Sequence, residues 1–167
     1  DFIVGAYGND AVSSNSGQAY LVFGRAVGWG MDIGLNQADA SFLGEASGDR
    51  AGHSVAGAGD VNGDGYDDLL VGAYGNDDGA TSAGQSYLVL GKATGWAAGV
   101  DLGASDASFL GEASNDLSGT PIAGAGDADG DGLDDFLVGA FGNDDAGSYS
   151  GQSYLFMGTQ AVWGLDT

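Results

Sequence analysis

Residues 60–73 read Asp-Val-Asn-Gly-Asp-Gly-Tyr-Asp-Asp-Leu-Leu-Val-Gly-Ala, an aspartate- and glycine-rich loop that runs directly into a short apolar segment. Residues 127–140 repeat this pattern 67 positions later, as Asp-Ala-Asp-Gly-Asp-Gly-Leu-Asp-Asp-Phe-Leu-Val-Gly-Ala, and residues 1–6 match its end. An internal repeat sets the size of the structural unit, so it decides how the rest of the chain is interpreted. At this period the 167 residues hold about two and a half copies.

Each copy consists of short apolar runs separated by clusters of Gly, Asn, Asp and Ser, which is typical of strands joined by turns. In the complete copy we predict four strands, A to D, at residues 54–60, 68–74, 86–90 and 107–112. Four short strands in a tandem repeat predict an all-β fold built from β-propeller blades of four antiparallel strands. Residues 51–117 then form a complete blade, residues 1–50 a partial blade with strands B, C and D, and residues 118–167 a partial blade with strands A, B and C.

The composition excludes several classes of function. Only three basic residues stand against 24 acidic ones, for a net charge of −21, so the chain lacks the cationic surface that nucleic acid or an anionic membrane requires. No apolar run approaches the roughly 18 residues that a membrane-spanning helix needs, so we predict no membrane insertion. Cysteine is absent, which excludes disulfides and zinc–thiolate sites. A hydrophobic content of 43% still supports a packed core.

The loop between strands A and B has the spacing of a calcium site. Oxygen ligands at positions 1, 3 and 5 converge if the chain curls tightly, and glycine at position 6 permits that curl. Position 7 offers a backbone carbonyl and position 9 closes the cage, so each of the two complete loops is predicted to bind one Ca²⁺. The predicted ligands are Asp60, Asn62, Asp64, Tyr66 and Asp68 in the first loop, Asp127, Asp129, Asp131, Leu133 and Asp135 in the second, and Asp1 at position 9 of an incomplete third loop.

Alternatives to this calcium loop are an ion-free hairpin, an EF-hand and a nonapeptide β-roll. Clustered carboxylates repel one another unless a cation lies among them, which argues against the ion-free hairpin. An EF-hand needs a Glu at position 12, where Val71 and Val138 stand, and it needs flanking helices. A β-roll would repeat every nine residues, which this chain does not.

Residues 57–73, followed by Gly-Gln-Ser-Tyr-Leu-Val-Leu-Gly at 84–91, resemble the FG-GAP repeat. This is the blade unit of integrin α-subunit β-propellers and of secreted bacterial integrin-like proteins, and the bacterial style is the closer match. The resemblance implies a seven-bladed propeller when complete, with Ca²⁺ in the A–B hairpin of several blades. The family's Gly-Ala-Pro is Gly-Ala-Tyr or Gly-Ala-Phe here, which is expected to alter the turn after strand B.

The two partial blades both contain strands B and C, so they do not complete each other. We therefore expect the chain to be a segment of a longer array, in which further repeats cover the open blades. An assembly of several copies is the alternative, because open faces and strand edges invite pairing.

Four other sets of residues are candidates for sites. The repeated tryptophans, Trp29, Trp96 and Trp163, are expected to pack between blades or to anchor a loop rather than to bind sugars. The aromatic residues that follow strand B are expected to mark turns. The only glutamates, Glu45 and Glu112, lie a blade apart, which disfavours a shared catalytic site, and the single histidine, His53, is expected at a turn or on the surface.

We therefore expect a non-enzymatic, calcium-binding extracellular propeller module for adhesion, surface display or structural assembly, with a surface protein or glycan as a further partner. The alternatives are a carbohydrate-binding, lectin-like propeller and an accessory propeller of a larger secreted hydrolase or lyase.

Overall fold

The fold consists of short strands, as seen in a computed structural model that describes residues 1–161. The strands are β1 (Phe2–Ala6), β2 (Gln18–Val22), β3 (Ala40–Leu43), β4 (Ser54–Gly59), β5 (Asp68–Ala73), β6 (Gln85–Val89), β7 (Val100–Asp101), β8 (Ala107–Leu110), β9 (Ser118–Gly126), β10 (Asp135–Ala140) and β11 (Gln152–Phe156). Two 3-10 turns, Leu35–Gln37 and Leu102–Ala104, are the helical segments of the described part. Neither of them is of a length or hydropathy that could cross a bilayer. The predicted all-β class is confirmed.

The complete repeat forms one four-stranded sheet with the order β4-β5-β6-β8, in which each neighbouring pair is antiparallel. These strands are the predicted A, B, C and D, and their bounds differ from the prediction by no more than two residues. The third sheet, β11-β10-β9, contains strands A, B and C of the last copy. The division of the chain at residues 50/51 and 117/118 stays a prediction, although β4 and β9 both begin shortly after these points.

The first sheet differs from the prediction, because it has a fourth strand that comes from the next repeat. Its order is β1-β2-β3-β7, and β7 pairs with β3 in parallel, with Phe42 opposite Val100 and Leu43 opposite Asp101. The segment that leads to β7 carries Trp96, whose ring contacts Phe23 and Phe42 of the first sheet. The segment that connects strands C and D of the second repeat therefore packs against the preceding sheet and adds a strand to it.

The hydrophobic core lies between the sheets, in two clusters. The first joins Leu21 and Phe42 of the first sheet to Val71 and Tyr87 of the second. The other cluster joins the second sheet to the third and includes Leu70. Side chains alternate across a strand, so β5 sends Val71 towards one neighbouring sheet and Leu70 towards the other. Both faces of the middle sheet are thus covered, and all five residues of β6 and five of the six residues of β5 are buried.

Glycine lets the sheets approach closely. Gly72 of β5 lies against the backbone of the following repeat, and a Cβ at this position would overlap the carbonyl oxygen of Gly119. Gly5 of β1 has the same relation to Gly52, one repeat earlier. The Val-Gly-Ala at the end of strand B in the first two copies therefore sets the spacing to the following repeat.

Candidate metal centre

The β4–β5 loop is held in a tight curl by Asp60, the first predicted ligand. Its Oδ1 accepts hydrogen bonds from the amides of Gly63 and Asp64 at 2.8 and 3.0 Å, and its Oδ2 accepts one from Gly65 at 2.8 Å. Gly63 and Gly65 have φ values of 76° and 90°, in the left-handed region that only glycine adopts at little cost. Gly65 stands at position 6, where the sequence predicted that glycine is required. Gly63 at position 4 has a positive φ as well, so glycine is favoured there for the same reason.

Positions 3 and 5 of the first loop also turn towards the curl. Asn62 Oδ1 accepts from the Asp64 amide at 2.9 Å, and Asp64 Oδ1 accepts from the Tyr66 amide at 2.9 Å. The Asn62 side-chain amide donates to the second carboxylate oxygen of Asp64 at 3.0 Å. Each carboxylate oxygen has two lone-pair sites, so these bonds orient the oxygens without using all of their capacity to bind a cation.

Asp68, at position 9, is fully buried, and both of its carboxylate oxygens accept backbone hydrogen bonds. The Val61 amide donates to Oδ2 at 2.9 Å and the Gly91 amide donates to Oδ1 at 2.6 Å. Burial raises the pKa of Asp68 to about 6, and the negative charges of Asp64 and Asp60 act in the same direction, against the two amides. Asp68 therefore joins the loop, the start of β5 and the turn after β6, a structural role that its place in the loop pattern did not indicate.

The second loop, between β9 and β10, has the same geometry. Asp127 accepts from the amides of Gly130, Asp131 and Gly132 at 2.7 to 3.0 Å. Asp135 is fully buried and accepts from the amides of Ala128 and Gly158, both at 2.8 Å. One carboxylate oxygen each from Asp127, Asp129 and Asp135 lies within 4.8 Å of the others. Three carboxylates this close form a donor set of hard oxygens that suits Ca²⁺.

The remaining predicted ligands lie at matching places in the repeats. Asp131 Oδ1 accepts from the Leu133 amide at 2.9 Å, as Asp64 does from Tyr66, so the position-7 residues lie on the same turn of each loop. Asp1 Oδ1 accepts from the Gly24 amide at 2.6 Å. This bond is the counterpart of the bonds from Gly91 and Gly158 to position 9 of the complete loops. Asp1 thus has the place of a ninth residue, and it makes the backbone bond that goes with that place.

The two complete loops also contact each other, which the repeat pattern did not predict. The Asp60 amide donates to Asp134 Oδ2 at 2.9 Å, and the Asp134 amide donates to the Asp60 carbonyl oxygen at 3.1 Å. The Thr159 amide donates to the Val61 carbonyl oxygen at 2.8 Å. Neighbouring repeats therefore align their loops side by side along one edge of the stacked sheets.

The two described tryptophans anchor equivalent turns but differ in their surroundings. Their indole N–H groups donate to the carbonyl oxygens of Arg25 and Lys92, at 2.8 Å for Trp29 and 2.9 Å for Trp96. Trp96 packs between repeats, as expected, whereas Trp29 is 46% exposed and contacts Phe2. Trp163 lies outside the described residues.

The aromatic residues after strand B begin turns, as expected. In those turns Asn9, Asn76 and Asn143 accept backbone hydrogen bonds from residues two positions later, at 2.7 to 3.2 Å. His53 is exposed, and its ring contacts those of Tyr7 and Tyr74 at centroid distances of 5.2 and 4.6 Å. Glu45 accepts a hydrogen bond from the Tyr87 hydroxyl of the next repeat at 2.7 Å. The glutamate therefore joins two neighbouring sheets.

Comparison with known proteins agrees with this geometry. Residues 51–89 match the family model for the FG-GAP repeat. A stretch of 93 residues, 55% of the chain, is 39% identical to integrin alpha pat-2 of Caenorhabditis briggsae. The chain spans about 7% of the length of that relative. The family-model match begins at the start of the complete repeat and ends with β6, so it covers strands A to C together with the first complete aspartate-rich loop. Residues 51–89 are thus similar to an FG-GAP repeat, as the sequence motif predicted, and the four-stranded antiparallel sheet of the complete repeat is the β-propeller blade that such a repeat implies.

Proposed function

We propose that this chain is a calcium-stabilised segment of an extracellular β-propeller that serves adhesion, surface display or structural assembly. The observation that carries the proposal is the convergence of carboxylate oxygens from Asp127, Asp129 and Asp135, within 4.8 Å of one another. The same curl recurs at Asp60, where Asn62 replaces the second aspartate. We refer to these two loops, residues 60–68 and 127–135, as the hairpin sites.

The hairpin sites act through folding. Their carboxylates converge only when the loop is curled, so the unfolded chain presents no comparable site, and cation binding stabilises the folded state. At a free Ca²⁺ concentration 100 times the dissociation constant, one such site adds about 2.7 kcal/mol to the free energy of unfolding. Because the two loops lie in contact, charge neutralisation in one lowers the repulsion that acts on the other.

The calcium proposal is tested on metal-free protein by calorimetric titration and by thermal unfolding in 1 mM CaCl₂ or 1 mM MgCl₂. We expect Ca²⁺ to bind and to raise the melting temperature by several degrees more than Mg²⁺, which controls for ionic strength. Replacement of Asp60, Asp64, Asp127 and Asp131 by Asn is expected to abolish binding at the hairpin sites. A charge-matched control replaces the exposed Asp10, Asp32, Asp77 and Asp144, which lie outside both loops, by Asn. Equal melting temperatures in Ca²⁺ and Mg²⁺ would contradict the proposal.

The extracellular, adhesion-related role is supported by the similarity to an integrin alpha chain and by the FG-GAP match. Extracellular fluid holds millimolar Ca²⁺, and loops with exposed aspartates suit sites of modest affinity. Secretion of the parent protein is tested by locating it in fractionated cells of its source with an antibody against this chain. Retention inside the cell would contradict the extracellular role.

The partners we propose for the two open blades are further repeats or a second copy of the chain. Leu137 and Leu155 on the third sheet are 38% and 44% exposed, whereas their equivalents Leu70 and Leu88 are fully buried by the next sheet. Phe2 on the first sheet is 48% exposed, and its equivalents Leu69 and Phe136 pack against the preceding sheet. Light scattering over a concentration series tests self-association. Leu155→Ser should reduce it, whereas Val12→Ser, a change at another exposed apolar residue, should leave it unchanged.

A carbohydrate-binding role is the second candidate, and one observation favours it at Trp29. This exposed ring lines a cavity of about 530 Å³ together with Phe2, Met31 and Ile33. Aromatic faces of this kind stack on sugar rings. A glycan array with wild type and Trp29→Ala decides the matter, because loss of a signal in the variant would support binding and a blank array would contradict it.

A further inference from the structure

A second acidic cluster lies away from the hairpin sites, at the junction between the first and second sheets. Glu45 follows β3 of the first sheet, whereas Asp78 and Gln85 belong to the turn and strand β6 of the second. Together with Tyr87 they line a cavity of about 160 Å³. Like charges from two different repeats thus face the same small space.

Glu45 is held in place across this junction. Its Oε1 accepts a hydrogen bond from the Tyr87 hydroxyl at 2.7 Å, and the side-chain amide of Asn76 lies 3.4 Å from the same hydroxyl. The Asn76 amide also lies 3.5 Å from Asp49, which is buried. Burial raises the pKa of Glu45, and the negative charges of Asp78, Asp101 and Asp49 add to that effect, against the Tyr87 hydrogen bond. Burial and the neighbouring negative charges therefore disfavour ionised Glu45, and no basic side chain is among the residues that line the cavity.

Gln85 supplies an independent sign that something binds in this cavity. The residue is 3% exposed, and its carbonyl oxygen Oε1 has no hydrogen-bond partner among residues 1–161. In the first repeat the equivalent Gln18 Oε1 accepts from the Tyr20 hydroxyl at 2.9 Å. In the second repeat the Tyr87 hydroxyl donates to Glu45 instead. A buried acceptor that is left unpaired costs about 1–3 kcal/mol, so a ligand that engages it is favoured.

The basic residues of the chain lie elsewhere. Arg25 pairs with Asp39 at 3.4 Å, which is the one salt bridge within the described part of the chain. Arg50 lies over the Tyr74 ring and Lys92 over the Trp96 ring. None of the three lines the cavity. The carboxylates at the junction therefore depend on protons or on an ion for neutralisation.

The same residue types recur at the junction of the second and third sheets, where Glu112 and Gln152 are exposed. Glu112, Asp145, Gln152 and Tyr154 stand 67 positions after Glu45, Asp78, Gln85 and Tyr87. Burial, followed by contact with Glu112 and the charges of Asp116 and Asp145, raises the pKa of Tyr154 to about 12. Among the described residues no hydrogen bond of normal geometry reaches the Tyr154 hydroxyl, and the exposure of Glu112 and Gln152 makes this junction more open to solvent than the first. The first repeat, by contrast, has Ala11 where the later ones have Asp78 and Asp145.

We propose that Glu45, Asp78 and the carbonyl oxygen of Gln85 bind one Ca²⁺ ion at the junction of the first two sheets, apart from the hairpin sites. Two carboxylates and an amide carbonyl are hard oxygen donors, and the cavity has room for water molecules that complete the coordination. Tyr87 is the positioning residue, because it fixes the Glu45 carboxylate. Since the ligands come from two repeats, this junction site would join neighbouring blades, whereas each hairpin site lies within one.

Separate variants distinguish Ca²⁺ binding at the junction site from Ca²⁺ binding at the hairpin sites. Three proteins are titrated calorimetrically with CaCl₂ after removal of metal: the hairpin variant with Asp60, Asp64, Asp127 and Asp131 changed to Asn, a junction variant (Glu45→Gln, Asp78→Asn), and a combination of both. Asp32→Asn with Asp144→Asn, both exposed, is the charge-matched control for the junction variant.

We expect the hairpin variant to retain binding of one Ca²⁺ ion per chain, at the junction site. The combined variant should bind one ion fewer per chain than the hairpin variant does. In metal-free buffer the junction variant should have a higher melting temperature than wild type, because the substitutions remove the repulsion between the two carboxylates. A cooperative thermal transition also shows that the variant folds. Its melting temperature should rise less on addition of Ca²⁺ than that of the control. Absence of Ca²⁺ binding to the hairpin variant would overturn the junction site and leave the proposed function intact. Binding that is unchanged by the hairpin substitutions but lost in the junction variant would support the junction site and contradict the hairpin sites.

Discussion

At the scale of single residues, the aspartate at position 9 of each loop has two roles that the sequence pattern cannot separate. Asp68 and Asp135 have the place of a calcium ligand, yet both are fully buried and accept two backbone hydrogen bonds each. Asp1 makes the corresponding bond to the turn after strand C. This aspartate therefore belongs to the framework of the blade as well as to the loop.

The buried carboxyl of Asp68 gives the metal-free protein a defined pH dependence. Its pKa is raised to about 6 in the folded protein, and those of Glu45 and Asp49 are raised as well. The folded state then holds these protons more tightly than the unfolded state does, so their contribution to stability is complete below about pH 4 and is lost as the pH rises through about 6. We expect the free energy of unfolding in urea, measured in metal-free buffer, to fall over this range.

Calcium should reverse this dependence, because the carboxylates must lose their protons to bind a cation. In 1 mM CaCl₂ we expect the free energy of unfolding to rise between pH 4 and pH 7. The Asn variant of Asp68 should show a smaller change with pH in metal-free buffer than an Asn variant of the exposed Asp67. An equal change with pH in the Asp68 and Asp67 variants would show that the Asp68 carboxyl does not contribute to the pH dependence.

At the scale of the element, the strands of the complete blade follow from the sequence because glycine and aspartate clusters bound each apolar run. Strand β7 was missed, since it has only two residues and pairs with a strand of another repeat. A pattern of strands within one repeat carries no information about such a partner. The same limit applies to Gly72, because the requirement for glycine there comes from the close approach of the Gly119 backbone in the next repeat.

Gly72→Ala tests the close approach of the sheets. A Cβ at this position would overlap the Gly119 carbonyl oxygen, and the backbone has little freedom to move, so we expect a loss of about 1–3 kcal/mol in the free energy of unfolding. Gly57→Ala in the neighbouring strand β4 is the matched control, because a Cβ there meets no atom within 4 Å. We expect it to change stability by less than about 1 kcal/mol. Similar losses in both variants, measured by urea unfolding, would contradict the packing argument.

At the scale of the whole molecule, the sheets depend on their neighbours. Both hydrophobic clusters lie between sheets rather than within one, and the Trp96 segment of the second repeat extends the first sheet. A blade of this kind has no core of its own, so stability resides mostly in the junctions.

Trp96→Ala is therefore expected to destabilise the molecule more than Trp29→Ala does. The half-buried Trp96 ring contacts Phe23 and Phe42, and its loss should lower the free energy of unfolding by about 2 kcal/mol. Trp29 occupies the same place in its own repeat, but in the described structure it contacts Phe2 and lies beneath Arg25 at the surface. We expect less than about 1 kcal/mol for its removal.

Amide hydrogen exchange provides a second measurement of the same effect. In Trp96→Ala the amides of β3 should lose protection, because β7 pairs with β3 and the tryptophan lies on the segment that leads to it. In Trp29→Ala they should stay protected. Equal protection of β3 in the two variants would show that the Trp96 segment does not hold the first sheet.

The sequence by itself determined the period of 67 residues, which self-comparison shows directly, and the four strands of a blade, and it predicted the ligands of the hairpin sites. The strands and the ligand spacing are local properties, because alternation, turn residues and ligand spacing act over fewer than about ten residues. Only the tertiary structure decided that β7 joins another sheet, that the two hairpin loops touch, and that Glu45 of one repeat faces Asp78 and Gln85 of the next. Those contacts join residues that lie dozens of positions apart, and the identical motif in every repeat cannot reveal which face of a sheet meets its neighbour. The burial of Asp68 is decided in the same way, because it depends on the turn that follows β6 and not on the loop in which the aspartate lies.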